Sequence, residues 1–287
     1  MKPPIFIIGN PRSGTTLLRL MLTCHKNIRI PPECGFVVWL AEHHADWAWD
    51  EKRLVERFIP DLFACRKIET WEFNRGELVG YMMRHQPQTY AALVSCVYEF
   101  YGINRGRSFT RWGDKNTWYI QHIPEIRAIF PRAVFIHIVR DGRDIACSYR
   151  DIASRKLVGP YVPKLPTDIE DIATEWVANL RLVGLAKKQG PILEVRYEDL
   201  VRETRQELLA LCRRLDEEFD PQMLYYYQFN LREILEPASF LPWKEKTIEP
   251  LTASPIGRYK HQLSLEDQEA FVAIAGAALR NYGYLGG

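Results

Sequence analysis

Three short segments rich in apolar residues are the strongest secondary-structure signals in the chain. They cover residues 5–9, 133–139 and 192–197, and each is followed by a segment in which apolar residues have helical spacing. Apolar runs of this length are typical of strands that are buried on both faces. Strands that alternate with helices predict an α/β fold, in which helices flank a central parallel β-sheet in three layers.

The regions between these strands differ in pattern. Residues 36–101 are rich in aromatic side chains and follow a mostly helical pattern without a clear strand. Residues 151–167 contain three prolines, which predict a loop or a cover segment. No linker is visible, so residues 1–287 are expected to form a single domain. Further helices are predicted at 14–24, from the end of the second strand to about residue 149, at 168–188 and at 198–215.

The first predicted strand runs into a loop that has a glycine at each end, Gly9 and Gly14, and then into a helix. Backbone N–H groups in such a loop, together with the helix N-terminus, bind phosphate. The glycine spacing is that of a P-loop, but Thr15 stands where a P-loop has lysine, and Arg12 is the only cation. The loop therefore fits the 5′ end of a nucleotide better than a magnesium-bound triphosphate. An ordinary strand–helix turn is the alternative. Hydroxyl groups are present in the loop at Ser13, Thr15 and Thr16.

A second candidate phosphate site follows the second strand. Arg140 stands at the end of that strand, and Ser148 lies eight residues later, two turns along the next helix. A planar guanidinium and a hydroxyl can together bind a phosphate. The alternative is a structural ion pair between Arg140 and a neighbouring aspartate. Because ligands of parallel sheets bind at the carboxyl ends of strands, Gly9–Thr16, Arg140 and Tyr197 are expected along one edge.

Bulk composition narrows the classes of function. A net charge of +2 gives no argument for a nucleic-acid or membrane partner, so any basic site must be local. The six cysteines are scattered without a C-x-x-C pair, which predicts free buried thiols and no metal site. No apolar run approaches the length of a membrane span, and the N-terminal run is too short for a signal peptide. A cytoplasmic location is the resulting expectation.

Together, the two phosphate motifs resemble those of sulfotransferases that use 3′-phosphoadenosine 5′-phosphosulfate (PAPS), most closely the bacterial and tyrosylprotein types. PRSGTTLL at 11–18 is similar to the family's 5′-phosphosulfate loop, and IVRDGRDIACS at 138–148 is similar to its 3′-phosphate motif. The resemblance implies a P-loop-like fold, PAPS as co-substrate, adenosine 3′,5′-bisphosphate (PAP) as product, and no metal. It also implies donor contacts from Arg12, Ser13, Gly14, Thr15, Thr16, Arg140 and Ser148.

The same resemblance implies catalytic groups. Glu33, after two prolines, aligns with the glutamate that takes the acceptor proton in the tyrosylprotein enzymes, and sulfuryl transfer from a hydroxyl requires such a base. Lys115, in GDKNTWY, is similar to the lysine of a bacterial G-D-K segment and would stabilise the leaving oxygen together with Arg12. The alternatives are a helix-capping role for Glu33 and a surface ion pair of Lys115 with Asp114.

Two further segments complete the resemblance. Tyr197 matches a tyrosine that contacts the nucleotide in the tyrosylprotein enzymes, although a strand–helix junction explains it equally well. ASPIGRYK at 253–260 is similar to a late loop that closes over the donor, which implies contacts from Ser254, Gly257 and Arg258. Segments at about 36–110 and 151–167 would then lie on the acceptor side.

The prediction is therefore a sulfotransferase that moves a sulfuryl group from PAPS to a hydroxyl acceptor. The tyrosylprotein enzymes have an arginine two residues after the catalytic glutamate, where this chain has Gly35, so a small molecule, a carbohydrate or a lipid is favoured over protein tyrosine. The alternatives are a P-loop-like kinase and a nucleotide-binding module without activity. Monomer and homodimer both remain open.

Overall fold

A parallel β-sheet of five strands forms the centre of the protein, in the order β2-β3-β1-β4-β5. The computed structural model describes residues 1–106 and 108–285. The strands are β1 Ile5–Ile8, β2 Ile28–Arg29, β3 Arg111–Lys115, β4 Val134–Val139 and β5 Ile192–Arg196.

Helices connect and cover the strands. The α-helices are α1 Thr15–Thr23, α2 Phe36–Trp39, α3 Ala41–His44, α4 Glu51–Arg53, α5 Ile59–Ala64, α6 Arg75–His85, α7 Tyr90–Asn104, α8 Ile123–Ile129, α9 Gly142–Ser154, α10 Ile169–Gln189, α11 Tyr197–Arg202, α12 Thr204–Arg214, α13 Tyr226–Glu233, α14 Leu241–Lys244, α15 Tyr259–Gln262 and α16 Leu265–Asn281. Short 3₁₀ segments lie at Ile68–Trp71, Thr117–His122, Pro221–Tyr225, Ala238–Phe240 and Glu245–Ile248, and a π-helical turn at Leu54–Phe58.

Strand β1 divides the core into two layers. Its side chains alternate, so Phe6 and Ile8 pack with residues from the 36–130 region, and Ile5 and Ile7 pack with residues of α1, α11 and α12. All four side chains are buried, which explains the unbroken apolar run. The three-layer α/β fold expected from the sequence is confirmed.

The register of the sheet brings the ends of the strands to one edge. Ile7 of β1 pairs with Lys115 of β3, and Ile8 pairs with His137 of β4. On the outer side, Val139 of β4 pairs with Arg196 of β5. The loops that follow β1, β4 and β5, and the last residue of β3, therefore lie along the same edge.

The structure corrects the predicted elements in three places. Strands β2 and β3 were not expected from the sequence, and β3 includes the Gly-Asp-Lys triplet at the start of GDKNTWY. The helix predicted at 198–215 is two helices, α11 and α12, which meet at Glu203. Helix α9 continues to Ser154, into the segment predicted as a loop.

Other sequence expectations agree with the structure. The region 36–101 is helical, and all six cysteines are free and buried. Across residues 1–106 and 108–285, none of the helices combines the length and the apolar character needed to span a bilayer.

Candidate functional site

The loop after β1 is shaped by glycines that approach other elements closely. Gly14 has φ +98°, a left-handed conformation that favours glycine, and a Cβ there would lie 2.5 Å from the Tyr197 ring. A Cβ on Gly9 would lie 2.6 Å from the carbonyl oxygen of Ile138. Ser13 is buried and donates from Oγ to the carbonyl of Asn10 at 2.7 Å, so its hydroxyl holds the loop in shape.

Arg12 connects this loop to helix α9. Its backbone has φ +67°, and its Nε donates a hydrogen bond to Ser148 Oγ at 3.1 Å. Burial lowers the pKa of Arg12 to about 10, and the nearby guanidinium groups of Arg140 and Arg258 act in the same direction. The side chain is still charged at neutral pH, so three cations share one confined space.

Arg140 lies at the end of β4 and points to the same space. It donates to the carbonyl of Arg12 at 3.0 Å and to the carbonyl of Pro255 at 2.7 Å, and its guanidinium lies 4.5 Å from the centre of the Tyr197 ring. The structural alternative, an ion pair of Arg140 with Asp141 or Asp144, is not found among the described residues. Asp141 accepts hydrogen bonds from the Arg143 side chain, and Asp144 accepts from backbone N–H groups of the segment 253–260.

The late segment 253–260 is anchored to α9 by one carboxylate. Asp144 accepts from the backbone N–H of Gly257 at 2.7 Å and of Tyr259 at 3.1 Å. Between these two residues, Arg258 lines the same cavity as Arg12 and Arg140. Gly257 is thus tied to a carboxylate, whereas Ser254 lies in the wall of the site.

These residues surround a cavity of about 390 Å³. Nine of the residues expected to contact the donor line it: Arg12, Gly14, Thr15, Thr16, Arg140, Ser148, Tyr197, Ser254 and Arg258. Ser13 and Gly257, also expected as contacts, do not line the cavity. The sequence did not indicate several other lining residues: Arg155, Trp243, Lys244 and Lys246.

The cavity fits the phosphate groups that the sequence predicts. The Nε atoms of Arg140 and Arg258 are buried and have no hydrogen-bond partner within residues 1–106 and 108–285. Burial, followed by repulsion from Arg140, lowers the pKa of Arg258. Guanidinium groups that are crowded into a buried site repel one another, and an anionic ligand with several oxygen acceptors would offset that repulsion.

A partly buried carboxylate, Glu33, forms a cluster with two ammonium groups, and none of these three residues lines the cavity. Lys115 Nζ, at the end of β3, donates to Glu33 Oε1, and Lys67 Nζ donates to Glu33 Oε2 at 2.8 Å. Lys115 is 1% exposed. The surface ion pair considered for Lys115 and Asp114 is absent, because Asp114 Oδ2 accepts from the hydroxyl groups of Tyr98 and Tyr119.

Burial and charge interactions shift the pKa values of both Glu33 and Lys115. Burial alone would raise the pKa of Glu33, but the ammonium groups of Lys115, Lys244 and Lys67 hold it well below the usual range. Burial lowers the pKa of Lys115 to about 8, although Glu33 opposes that shift. Burial also raises the pKa of Asp114 to about 6, which adds a second titrating group directly beside Lys115.

Three side chains that could have belonged to a site, those of His44, Trp47 and His137, are buried in the core. His44 is 1% exposed, and its Nε2 lies 2.9 Å from Asp61 Oδ2. The indole N–H of Trp47 donates to the carbonyl of Pro87 at 2.9 Å. His137 is likewise buried in β4, beside Glu194. None of these side chains lines the cavity.

Lys67 and Lys244 are the charged residues near Glu33 that sequence reasoning missed. Lys67 belongs to a turn with φ +74° before a 3₁₀ segment, and Lys244 ends the four-residue helix α14. Neither lies in a motif or in a periodic pattern. Only the folded chain brings them to Glu33, so no local signal could have identified them.

Known proteins share this architecture. A family model described as the sulfotransferase family matches residues 3–221. The chain is 27% identical to protein-tyrosine sulfotransferase A of Caenorhabditis elegans, over 81% of this chain and 54% of that protein. It is 23% identical to protein-tyrosine sulfotransferase 1 of Danio rerio, over 95% of this chain and 70% of that protein. The chain thus spans about half the length of the Caenorhabditis elegans protein.

A solved structure supports the fold. The sulfotransferase domain from the curacin biosynthetic pathway matches 97% of this chain and 98% of its own, with a TM-score of 0.59 and 22% sequence identity. Because the family model matches well over half of the residues, the chain belongs to the sulfotransferase family.

Proposed function

We propose that this sulfotransferase uses PAPS as its sulfuryl donor and transfers the group to a hydroxyl of a small molecule, a carbohydrate or a lipid. The observation that carries the proposal is the convergence of three guanidinium groups, those of Arg12, Arg140 and Arg258, on one cavity. PAPS carries anionic groups at both its 3′ and 5′ positions, so it can satisfy guanidinium groups at two points of the site.

The two phosphate sites would bind different parts of the donor. The loop from Gly9 to Thr16, with the N-terminus of α1 behind it, would bind the 5′-phosphosulfate through backbone N–H groups and the threonine hydroxyls. Arg140 and Ser148 would bind the 3′-phosphate, and Arg258 would close the site from the late segment. Tyr197 lies against Arg140 and gives this wall of the cavity a rigid aromatic surface.

Glu33 would accept a proton, and Lys115 would stabilise the negative charge that develops during transfer. When bound, PAPS supplies a sulfuryl group on a phosphate oxygen that becomes the leaving group. Glu33 would take the proton of the acceptor hydroxyl, while Lys115 and Arg12 stabilise negative charge on the leaving oxygen. The acceptor hydroxyl must first replace an ammonium contact of Glu33. Lys67 is the easier one to replace, because its side chain is 21% exposed and that of Lys115 is 1% exposed.

The surroundings of Gly35 support an acceptor other than protein tyrosine. A Cβ at this position would lie 2.5 Å from the indole ring of Trp39. The indole thus occupies the space into which the arginine of tyrosylprotein enzymes would project. Trp39 in turn lies 5.8 Å from Trp118, ring centre to ring centre. This aromatic surface suits an apolar molecule or the face of a sugar ring.

Calorimetry with PAP and ADP tests the donor assignment. PAP carries the 3′-phosphate that ADP lacks, so the wild-type protein is expected to bind PAP at least about 100-fold more tightly, the equivalent of roughly 2.7 kcal/mol. Arg140→Ala should remove most of that preference, whereas Arg132→Ala, an exposed arginine outside the cavity, should not change it. Equal affinity for the two nucleotides, or tighter binding of ADP with magnesium, would favour the kinase alternative.

Transfer is tested with PAPS and a panel of hydroxyl compounds, using mass spectrometry to detect sulfated products. Wild-type protein should sulfate at least one sugar, phenol, sterol or hydroxy-lipid, and Glu33→Gln should reduce that rate by about 100-fold or more while PAP still binds. Tight PAP binding without transfer to any acceptor, including tyrosine peptides, would instead indicate a binding module without activity.

A further inference from the structure

Lys244 connects the donor cavity with the Glu33 cluster. Its side chain is 8% exposed and forms part of the cavity wall that also contains Arg12 and Thr16. Its ammonium is also near enough to Glu33 and Lys115 to shift the pKa of both. Lys244 therefore belongs both to the cavity wall and to the cluster around Glu33.

A buried carboxylate fixes the position of this ammonium. Lys244 Nζ donates to Glu236 Oε1, and the other oxygen of Glu236 accepts from Arg19 Nη2. Glu236 is 2% exposed, and its backbone N–H donates to Asn230 Oδ1 at 2.7 Å. Asn230 in turn donates to the carbonyl of Thr247 at 3.1 Å. Each end of the Lys244–Glu236 pair is therefore held by the surrounding chain.

The pair leaves donor capacity unused. An ammonium has three N–H donors, and Glu236 accepts from Lys244 Nζ through one oxygen. The Phe240 ring, whose centre lies 4.8 Å from Nζ, covers another side of the ammonium. Lys244 is also a residue of the cavity wall, so a ligand bound in the cavity lies next to this side chain.

The charges of the cluster favour an added anion. Four cations contact its two carboxylates, Glu33 and Glu236, and they are Arg19, Lys67, Lys115 and Lys244. Asp114, directly beside Lys115, adds a third carboxylate, so the cations exceed the carboxylates by one. A buried region with net positive charge attracts a negatively charged ligand. The 3′-phosphate and 5′-phosphate are already served by the arginines and the loop, so the sulfuryl group is the part of the donor left for this cluster.

We propose that Lys244 is a catalytic residue whose ammonium binds an oxygen of the sulfuryl group during transfer, an inference that rests on the proposed use of PAPS. In the step, the acceptor oxygen forms a bond to sulfur, and the bond from sulfur to the 5′-phosphate oxygen breaks. The hydroxyl proton goes to Glu33, and PAP leaves with the electron pair of the broken bond. Lys244 neither gains nor loses a proton, and it stabilises the charge on the sulfuryl oxygens.

The experiment compares PAPS with PAP, which lacks only the sulfuryl group. In calorimetric titrations, Lys244→Met should weaken PAPS binding by about 10-fold, as expected for one charge-assisted hydrogen bond, and change PAP binding by less than about 2-fold. Lys188→Met, an exposed lysine on α10, is the matched control and should change neither affinity. Equal losses for PAPS and PAP would overturn the proposal, because Lys244 would then bind the nucleotide and not the sulfuryl group.

A double variant separates chemistry from folding. Lys244→Met leaves Glu236 with one partner fewer in a buried site, which can lower thermal stability by itself. Lys244→Met with Glu236→Gln also removes the charge of Glu236 and leaves the buried Arg19 without its carboxylate, so the melting temperature should fall further. The lost PAPS affinity should not recover. Recovery of PAPS affinity in the double variant would overturn the proposal and make Lys244 a structural partner of Glu236. Failure of wild-type protein to bind PAP would overturn the proposed function, and this inference with it.

Discussion

Arg12 Nε donates a hydrogen bond to Ser148 Oγ at 3.1 Å, across 136 residues of sequence. The two side chains belong to the two different phosphate motifs, the loop after β1 and the helix after β4. Their contact means that both motifs are already joined in the protein without nucleotide. Donor binding can therefore use a preformed site and does not have to bring the two motifs together.

Ser148→Ala tests this junction. Loss of the hydroxyl removes a phosphate ligand and leaves Arg12 Nε without its partner, so PAP affinity should fall by about 10-fold. Ser154→Ala is the control, because Ser154 lies on the same helix, is exposed, and bonds only the carbonyl of Asp151. Isothermal calorimetry on both variants gives the comparison. Unchanged affinity in Ser148→Ala would show that this hydroxyl plays no part in donor binding.

Arg12 is expected to matter more for transfer than for folding. Arg12→Ala should reduce sulfuryl transfer by about 1,000-fold, because it removes a cation that we propose to stabilise the leaving oxygen. Its circular dichroism spectrum and melting temperature should stay close to wild type, since burial and two neighbouring guanidinium groups already disfavour the charge of Arg12. Arg12→Lys keeps a positive charge and should retain part of the activity. Full activity in Arg12→Ala would contradict the role assigned to this residue.

The elements that the sequence predicted are those whose pattern is set locally. Strands β1 and β4 lie in or beside the centre of the sheet, so their apolar residues follow one another, and the edge strand β5 keeps apolar residues at 192, 193 and 195. Strand β3 was not predicted, although its residues are buried, because it carries Arg111, Asp114 and Lys115. Groups of other elements help to satisfy these charges, such as the carbonyl of Leu215 for Arg111 and the Tyr98 hydroxyl for Asp114.

The same limit applies to the candidate site. The two motifs identified Arg12, Arg140 and Ser148 as candidate donor contacts, because each residue stands a fixed number of positions after a strand in the sequence. The fold then brings the ends of the strands together. Lys67 and Lys244 come from short turns between elements, and tertiary packing alone determines where they lie. Ser13 was expected to contact the donor, but its Oγ bonds the carbonyl of Asn10.

Gly14 is predicted to be the glycine least tolerant of substitution in the site. Gly14→Ala combines a left-handed backbone, which costs roughly 1 kcal/mol for a side chain, with a contact of 2.5 Å to the Tyr197 ring. Gly257→Ala is the matched control, because Gly257 has φ +74° but a Cβ there meets nothing within 4 Å. In thermal melts, the first variant should lose clearly more stability than the second. Similar melting temperatures would mean that the Tyr197 ring yields at little cost.

The pH dependence of transfer should be set by Lys115. Its pKa is lowered to about 8 by burial. In the proposed mechanism, the charged ammonium stabilises the leaving oxygen. A lysine is charged below its pKa, so activity should be full below pH 8 and fall as pH rises through about 8. The charges around Glu33 hold its pKa well below the usual range, so protonation of Glu33 should not limit activity near neutral pH.

A conservative variant tests that assignment. Lys115→Arg replaces the ammonium with a guanidinium, whose pKa lies above about 12, so the loss of activity near pH 8 should disappear even if the maximal rate is lower. The measurement is the initial rate of transfer from pH 6 to pH 10 at saturating PAPS, with PAP affinity measured in parallel to confirm that the variant is folded. If the fall in activity near pH 8 persists in Lys115→Arg, another group titrates there, and Lys115 is not the cation on which transfer depends.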